Sequence, residues 1–329
     1  MTMQARALGI LAALALGLIG TMPGAAQDSY PASYPARLVT LVVPAAAGST
    51  TDTLARLLAD QLGRKWGKAV IVENIARGMN VGAEHVARAT PDGYTLLVSP
   101  PGPLTINDLL YRDLGYSPRQ FAAVSLLAKI PNALVVRKDL PAQTVKELAA
   151  YGKANPGKLT YGSQGAGSTA HLTSALLEMR AGIKMVHVPY RGAVPALNDV
   201  IAGHIDMFFD TLTTSVPLYR AGKVRIMAVA GPERSAALPE VPTIAESAFP
   251  NFHSITWFGL VGPPATPAAL AAKINRDVVE ILQRQGMSAK LRDLRLDPMI
   301  GTPADAAAFF AEEAQLWGGV IREANVTVQ

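Results

Sequence analysis

Arg37-Leu38-Val39-Thr40-Leu41-Val42-Val43-Pro44-Ala45-Ala46-Ala47-Gly48-Ser49-Thr50-Thr51-Asp52 is the stretch whose reading decides the fold class. A short β-branched, apolar run stops at a proline and crosses small and hydroxyl residues. It then enters a segment with Leu54, Leu57, Leu58 and Leu62 at helical spacing. That is a strand feeding a helix through a loop with free backbone N–H groups. Amides, hydroxyls and the positive end of the helix dipole meet at one point, and an anion satisfies them. The device recurs where Lys158-Leu159-Thr160-Tyr161 runs into Gly162-Ser163-Gln164-Gly165-Ala166-Gly167-Ser168-Thr169-Ala170-His171. Two such loops suggest a clamp on a small carboxylate.

Outward from the first loop the alternation continues. Strands are expected over Leu38–Val43, Ala69–Val72 and Tyr94–Ser99, with helices over Thr51–Gly63 and Gly82–Ala89 between them. This βαβαβ order implies a parallel sheet covered by helices. The theme restarts with strands at Ala133–Val136, Leu159–Gly162, Met185–Val188, Ile205–Phe209, Lys223–Val229 and Ile255–Val261. Helices at Thr144–Ala154, Ser168–Ala181 and Val194–Ala202 lie among them. Two amphipathic helices near Pro267–Gln285 and Pro303–Ala324 close the chain without strands of their own, so they are expected to return to the first half. The expected layout is a signal peptide over residues 1–26, a first lobe built from residues 27–135 and 231–329, and an inserted second lobe over residues 136–230. Hinges are expected near Val135 and Ala230.

Composition narrows the function. Half of the 329 residues are hydrophobic and 17% are charged, which is enough apolar surface for a large core and argues against disorder. The net charge is +5, but Lys and Arg are scattered with no dense basic stripe, which argues against a nucleic-acid partner. With no cysteine there is no disulfide, thiolate metal site or cysteine nucleophile. The five histidines lack metal-ligand spacing, and Gly165-Ala166-Gly167-Ser168 lacks the spacing of a nucleophile elbow. No catalytic residue, metal or cofactor is therefore assigned. Arg6, the apolar run Ala7–Ile19 and the small residues before a cut after Ala26 read as a cleaved secretory leader.

The candidate ligand residues come from the two loops and from two strand ends. In the first loop they are Ala46, Gly48, Ser49, Thr50 and Thr51, and in the second Ser163, Gly167, Ser168 and Thr169. Each hydroxyl could equally serve only as a helix cap. His171 reads as a packing or hydrogen-bonding histidine in a helix's first turn. Tyr190 can offer a ring face or hydroxyl, and its neighbour Arg191 a carboxylate partner. Asp210 ends a strand and either orients a ligand amine or water, or caps the next turn.

The ordered motifs resemble the substrate-binding receptors of tripartite tricarboxylate transporters, the Bug family. They are Leu41-Val42-Val43-Pro44 with Gly48 and Thr51-Asp52; Glu73-Asn74 with Gly82-Ala83; Pro91-Asp92-Gly93-Tyr94-Thr95-Leu96-Leu97; Leu159-Thr160-Tyr161-Gly162-Ser163 with Gly167 and His171-Leu172; His187-Val188-Pro189-Tyr190-Arg191-Gly192; Phe209-Asp210; Leu238-Pro239-Glu240-Val241-Pro242-Thr243; and Trp257-Phe258-Gly259-Leu260. The resemblance implies a type II periplasmic binding protein fold, with two α/β lobes, two crossing strands and a ligand cleft. It implies a periplasmic, monomeric receptor for a small carboxylate, partnered by membrane permease subunits, with the carboxylate held by residues 45–51 and 163–169.

The family's first loop usually reads Phe-Pro-Pro-Gly-Gly-Gly-Thr-Asp, and here an aromatic, two prolines and two glycines are missing while two hydroxyls are gained. With Ala45 in the aromatic's place, aliphatic acids are expected to outrank aromatic ones, unless Tyr190 or Trp257 supplies a ring platform. Ser99-Pro100-Pro101-Gly102-Pro103 is also unusually proline-rich. The rival readings are an orphan receptor that presents its ligand to a sensor kinase and a secreted α/β hydrolase, the latter opposed by the missing elbow and metal spacing.

Overall fold

A computed structural model describes residues 33–327. The expected leader, with its cut after Ala26, lies outside the described residues. The first half opens with β1 (Val39–Val43), α1 (Thr50–Trp66), β2 (Val70–Asn74), α2 (Met79–Ala87) and β3 (Thr95–Ser99). β1 pairs in parallel with both β2 and β3, as the βαβαβ pattern requires. Val39, Leu41 and Val43 are fully buried beneath the α1 stripe of Leu54, Leu58 and Leu62, and Val42 is buried on the opposite face with Ala83 and Val86 of α2. The incoming chain is fastened by Tyr34, which is buried against the rings of Trp66 and Tyr94 and donates its hydroxyl to the Gly93 carbonyl at 2.6 Å.

β4 (Ala122–Val136) follows, and then α3 (Val145–Ala154), β5 (Thr160–Ser163), α4 (Thr169–Ala181), β6 (Val186–Pro189), α5 (Ala193–Ala202), β7 (Met207–Thr211), α6 (Leu212–Arg220) and β8 (Arg225–Val229). The chain closes with α7 (Ile244–Ser247), β9 (Ile255–Gly262), α8 (Ala268–Gln283), α9 (Gln285–Asp293), β10 (Asp297–Pro298) and α10 (Pro303–Glu323). Strand order along the curled sheet is β2-β1-β3-β9-β4-β7-β5-β6, with β8 and β10 also on β4. The first part of β4, residues 122–131, pairs antiparallel with β9. Its last part, residues 132–136, pairs antiparallel with β7 and β8. One strand thus belongs to both lobes of a two-lobed α/β fold.

Asn132, Ala230 and Ser254 form the crossing. Asn132 N–H donates to the Ser254 carbonyl at 3.3 Å, Ala230 N–H to Asn132 at 2.6 Å, and Ser254 N–H to Ala230 at 2.6 Å. Their side chains add a buried polar cluster: the Asn132 amide donates to Ser254 Oγ at 2.9 Å, and the Thr256 hydroxyl donates to Asn132 Oδ1 at 2.8 Å. Thr173 of α4 joins through Ser254 Oγ at 2.6 Å. Every donor here has an acceptor, which is what makes burial of so many polar atoms tolerable.

Several expected bounds change. The strand expected over Ala133–Val136 extends back to Ala122, because residues 122–130 face protein on most sides and show no alternation. α6 forms although Pro217 lies within it, and α9 continues almost directly from α8. As expected, the closing helices return: α8 packs on α1 and β4, while α10 covers β4 and also reaches α4.

Candidate functional site

The two anion-loop candidates share one construction. In the first, Gly48 has φ +82° and Ser49 is the N-cap of α1, accepting from Asp52 N–H at 3.2 Å. The Asp52 carboxylate in return accepts Gly48 N–H at 2.9 Å. In the second, Gly167 has φ +79° and Ser168 is the N-cap of α4, accepting from His171 N–H at 3.3 Å. His171 Nδ1 in return accepts Gly167 N–H at 3.2 Å. The positive φ is glycine's region in both loops. The side chain three residues past the cap ties down the amide before it, a variant of the capping box. What stays open at each helix start is the first-turn pair of amides, Thr50 and Thr51 in α1, Thr169 and Ala170 in α4, which have no intrahelical acceptor.

The loops differ in what holds them. Burial pushes the Asp52 carboxyl up, but hydrogen bonds from Arg56, Gly48 and Asn74 outweigh it and keep it below the usual carboxylate range. Arg56 Nη2 lies 2.9 Å from Asp52 Oδ1, and Asn74 donates to the same oxygen at 2.9 Å. His171 is held by rings instead. It stacks on His187 at 4.1 Å between centroids, and His187 stacks on Tyr161 at 4.9 Å. Burial, and for His171 also the neighbouring His187, lowers both histidines to about 4. A neutral His171 is also what its acceptor role at Nδ1 demands.

Both helix starts face a cavity of about 330 Å³ between the lobes. Seven of the expected residues line it: Ser49, Thr50, Thr51, Ser168, Thr169, Tyr190 and Asp210. Four do not, each for a local reason. Ala46 is partly exposed and turns its Cβ towards Gly192, which lines the cavity in its place. Gly48 and Gly167 spend their amides on Asp52 and His171. Ser163 is fully buried, 2.6 Å from His187 Nε2, and donates to the Gly165 carbonyl at 3.0 Å. These four shape the loops, and the wall is made by their neighbours. Tyr190 offers its ring only, since its hydroxyl donates to Asp199 at 2.6 Å. Arg191 lines the cavity as well and, among the described residues, has no carboxylate within 4 Å.

Asp210 is 1% exposed. Thr214 donates to its Oδ2 at 2.5 Å, so it takes part in opening α6, but its Oδ1 has no partner. Burial raises the carboxyl to about 7, against the lowering effect of Thr214 and the Thr211 backbone.

Trp257 is no ring platform. It is fully buried, stacks on Phe310 and donates to Glu313 at 2.7 Å. Its neighbour Phe258 points the other way and lines the cavity, as alternation along a strand dictates. Asn107 and Tyr111 were not anticipated as wall residues. They follow Pro100-Pro101, where the chain makes a single π-helical turn over Gly102–Ile106. Nothing in local periodicity marks that turn. Thr211 and Thr256, also unanticipated, were legible as neighbours of Asp210 and as a hydroxyl in a buried strand.

The lobes touch directly over the cavity. Thr50 and Thr211 share a hydrogen bond of 2.7 Å, and the Tyr111 hydroxyl donates to the Ala166 carbonyl at 3.0 Å. A Cβ on Gly167 would lie 2.1 Å from Asn107 Oδ1, so glycine is needed there for close approach as well as for its φ. The cleft is closed.

Comparison with known proteins places these features. Among solved structures, R. palustris Rpa4515 with adipate superposes with a TM-score of 0.86 at 36% identity, covering 89% of this chain and 99% of that one. The periplasmic binding protein BugD superposes at 0.84 with 32% identity, over 90% and 100% of the two chains. MatC (Rpa3494) from Rhodopseudomonas palustris with bound malate gives 0.82 and 33%, over 88% and 100%. The family described as the tripartite tricarboxylate transporter family receptor, TctC, matches residues 54–326. With the two-lobed periplasmic binding fold, the paired helix starts and the closed cleft, the chain belongs to the Bug-type receptors of the tripartite tricarboxylate transporter family.

Proposed function

We propose that the protein is a periplasmic receptor, exported by a leader cut after Ala26, that captures a small aliphatic dicarboxylic acid by lobe closure and delivers it to the permease subunits of a tripartite tricarboxylate transporter. The observation that carries this is the meeting of two helix starts, one from each lobe, at one closed cavity. Their open amides and hydroxyls suit an anion, and relatives of this size hold adipate and malate. The ligand contacts are assigned to Ser49, Thr50, Thr51, Ser168, Thr169, Asp210 and the Tyr190 ring. Ala46, Gly48, Ser163 and Gly167 are assigned to loop shape. We set the pivot at Asn132 and Ser254 rather than at Val135 and Ala230, since residues 132–136 pair with β7 and β8 and α7 packs on α3 and β8. With the lobe bounds adjusted accordingly, the receptor acts as a monomer without catalysis.

A thermal-shift series of C4 to C8 dicarboxylates, hydroxy acids and benzoates tests the capture step. A ligand at 100 times its Kd stabilises by about 2.7 kcal/mol. Stabilisation by the aliphatic acids ahead of the benzoates is expected, and no response to any carboxylate would overturn the reading. Delivery is tested by uptake of labelled acid in cells carrying receptor and permease, which should vanish when the receptor is deleted.

A further inference from the structure

The walls of the cavity hold an acid where an anion is meant to sit. Asp210 closes β7, and β7 and α6 meet at Thr211, which is bonded across the cleft to Thr50 in the first turn of α1. Asp210 is therefore one residue from the closure contact. Asp210 is one of the residues lining the cavity; its Oδ2 is occupied by Thr214, while its Oδ1 is buried behind that wall and has no partner. Among the described residues no Lys, Arg or His nitrogen lies within 4 Å of it.

We propose that Asp210 is the specificity-determining hydrogen-bond donor of the site: the receptor takes up its carboxylate ligand together with one proton, which comes from solvent and resides between the ligand oxygen and Asp210 Oδ1. This rests on the carboxylate reading above. Two buried carboxyl groups that share a site do not both stay ionised, because no solvent or cation offsets their repulsion. One keeps a proton and the pair gains a charge-assisted O–H···O bond. The unliganded carboxyl already stands near 7 from burial. A ligand anion adds a second push in the same direction.

The other ionisable groups around β7 leave this balance to Asp210 and the ligand. β4 sets Ala133 opposite Asp210, and its Lys129 lies in the part paired with β9. β5 carries Tyr161, stacked on the histidines. α4 brings His171, which accepts from Gly167 as a neutral ring, with Glu178 and Arg180 towards its far end. α5 brings Asp199, bound to Tyr190 and 3.2 Å from His204. α6 places Tyr219 and Arg220 in its last turns. α1 offers Asp52, matched by Arg56. On the cavity walls themselves stand Tyr111, Tyr190 and Arg191.

The alternative chemistry is an ammonium ligand, which would need Asp210 ionised. Proton accounting separates the two. Succinate, adipate and, as the ammonium probe, aspartate are titrated calorimetrically into the full mature protein at pH 6.0, 7.5 and 8.5, in buffers of different ionisation enthalpy. Near pH 8.5 the bound dicarboxylate should take up close to one proton per site, and its affinity should fall about tenfold per pH unit above the Asp210 value. Asp210→Asn keeps an N–H donor, so it should still bind dicarboxylate, with no proton uptake and a flat pH profile. Dicarboxylate binding without proton uptake in the wild type would overturn the proposal and leave the receptor reading standing. Binding of aspartate alone, abolished in Asp210→Asn, would overturn it in favour of the ammonium. Binding of none of the acids would sink the receptor reading itself. The wild-type titration does not depend on whether the variant folds.

Discussion

In the loop entering α1 the acceptor for the glycine amide is Asp52, whereas in the loop entering α4 it is His171. The backbones are otherwise near copies, with φ +82° and +79° at the glycines and a serine N-cap after each. The exchange alters the field at the cavity. Asp52 puts a negative charge on the positive end of α1 and itself needs Arg56 and Asn74. The first turn of α4 holds no acidic residue, and its acceptor is uncharged. One loop is stabilised by charge and the other by stacking and desolvation. The α4 start should therefore contribute more of the grip on a ligand carboxylate.

The largest test of that contrast is Asp52→Ala. It leaves the Gly48 amide without its acceptor, takes one of the two acceptors of the Asn74 amide and breaks the Arg56 ion pair, so a loss of about 3 kcal/mol is expected in urea unfolding. A loss below 1 kcal/mol would mean that the first loop is not held by its carboxylate. Next come the glycines. Gly167→Ala meets Asn107 across the cleft, and we expect dicarboxylate affinity to drop about 100-fold, or 2.7 kcal/mol. A Cβ on Gly48 has open space, so Gly48→Ala should cost only about 1 kcal/mol of stability, from its φ, with affinity nearly intact. Equal effects in calorimetry would erase the distinction between a closing contact and a turn.

A third test uses pH. His171 sits at about 4 in the fold against about 6.5 unfolded, so the unfolded chain binds the extra proton between those values. Its contribution is whole above pH 6.5 and is lost as pH falls towards 4. The raised carboxyl of Asp210 acts with the opposite sign in much of this window, so the readout is the difference between wild type and His171→Asn. Wild type should lose about 2 kcal/mol more than the variant between pH 6.5 and 4.5. Asp52 keeps its contribution over that range, being ionised throughout. The smallest effect falls on the threonines. Thr169→Ala should weaken dicarboxylate binding about tenfold, or 1.4 kcal/mol, and Thr50→Ala about threefold. The reverse order would place the main grip at α1.

How much of this could be read beforehand follows from what each segment faces. Both loops were legible, because a strand, a run of small residues and a helical stripe are local signals. The partition of roles within them was not. Gly48 and Gly167 look like ligand amides until Asp52 and His171 are seen to occupy them, a contact set by the fold of the turn. Residues 122–131 hid as strand because burial on both faces removes alternation, and Pro131 reads as a break. Leu212–Arg220 hid because three Thr or Ser residues and Pro217 argue for a loop. Asn107 and Tyr111 reach the cavity through a π-helical turn that has no periodic signature, and Trp257 yields the cavity to Phe258 by strand parity alone.

The position of β9 has a consequence for synthesis. β3 ends at Ser99, yet its partner on that edge, β9, begins at Ile255, and β4 waits for the same strand. As the chain emerges from the ribosome, the sheet of the first lobe keeps an open edge until most of the polypeptide exists. Open edges invite pairing with other chains, and distant pairing is slow to form. A fold wired in this way remains unfinished for most of its own translation.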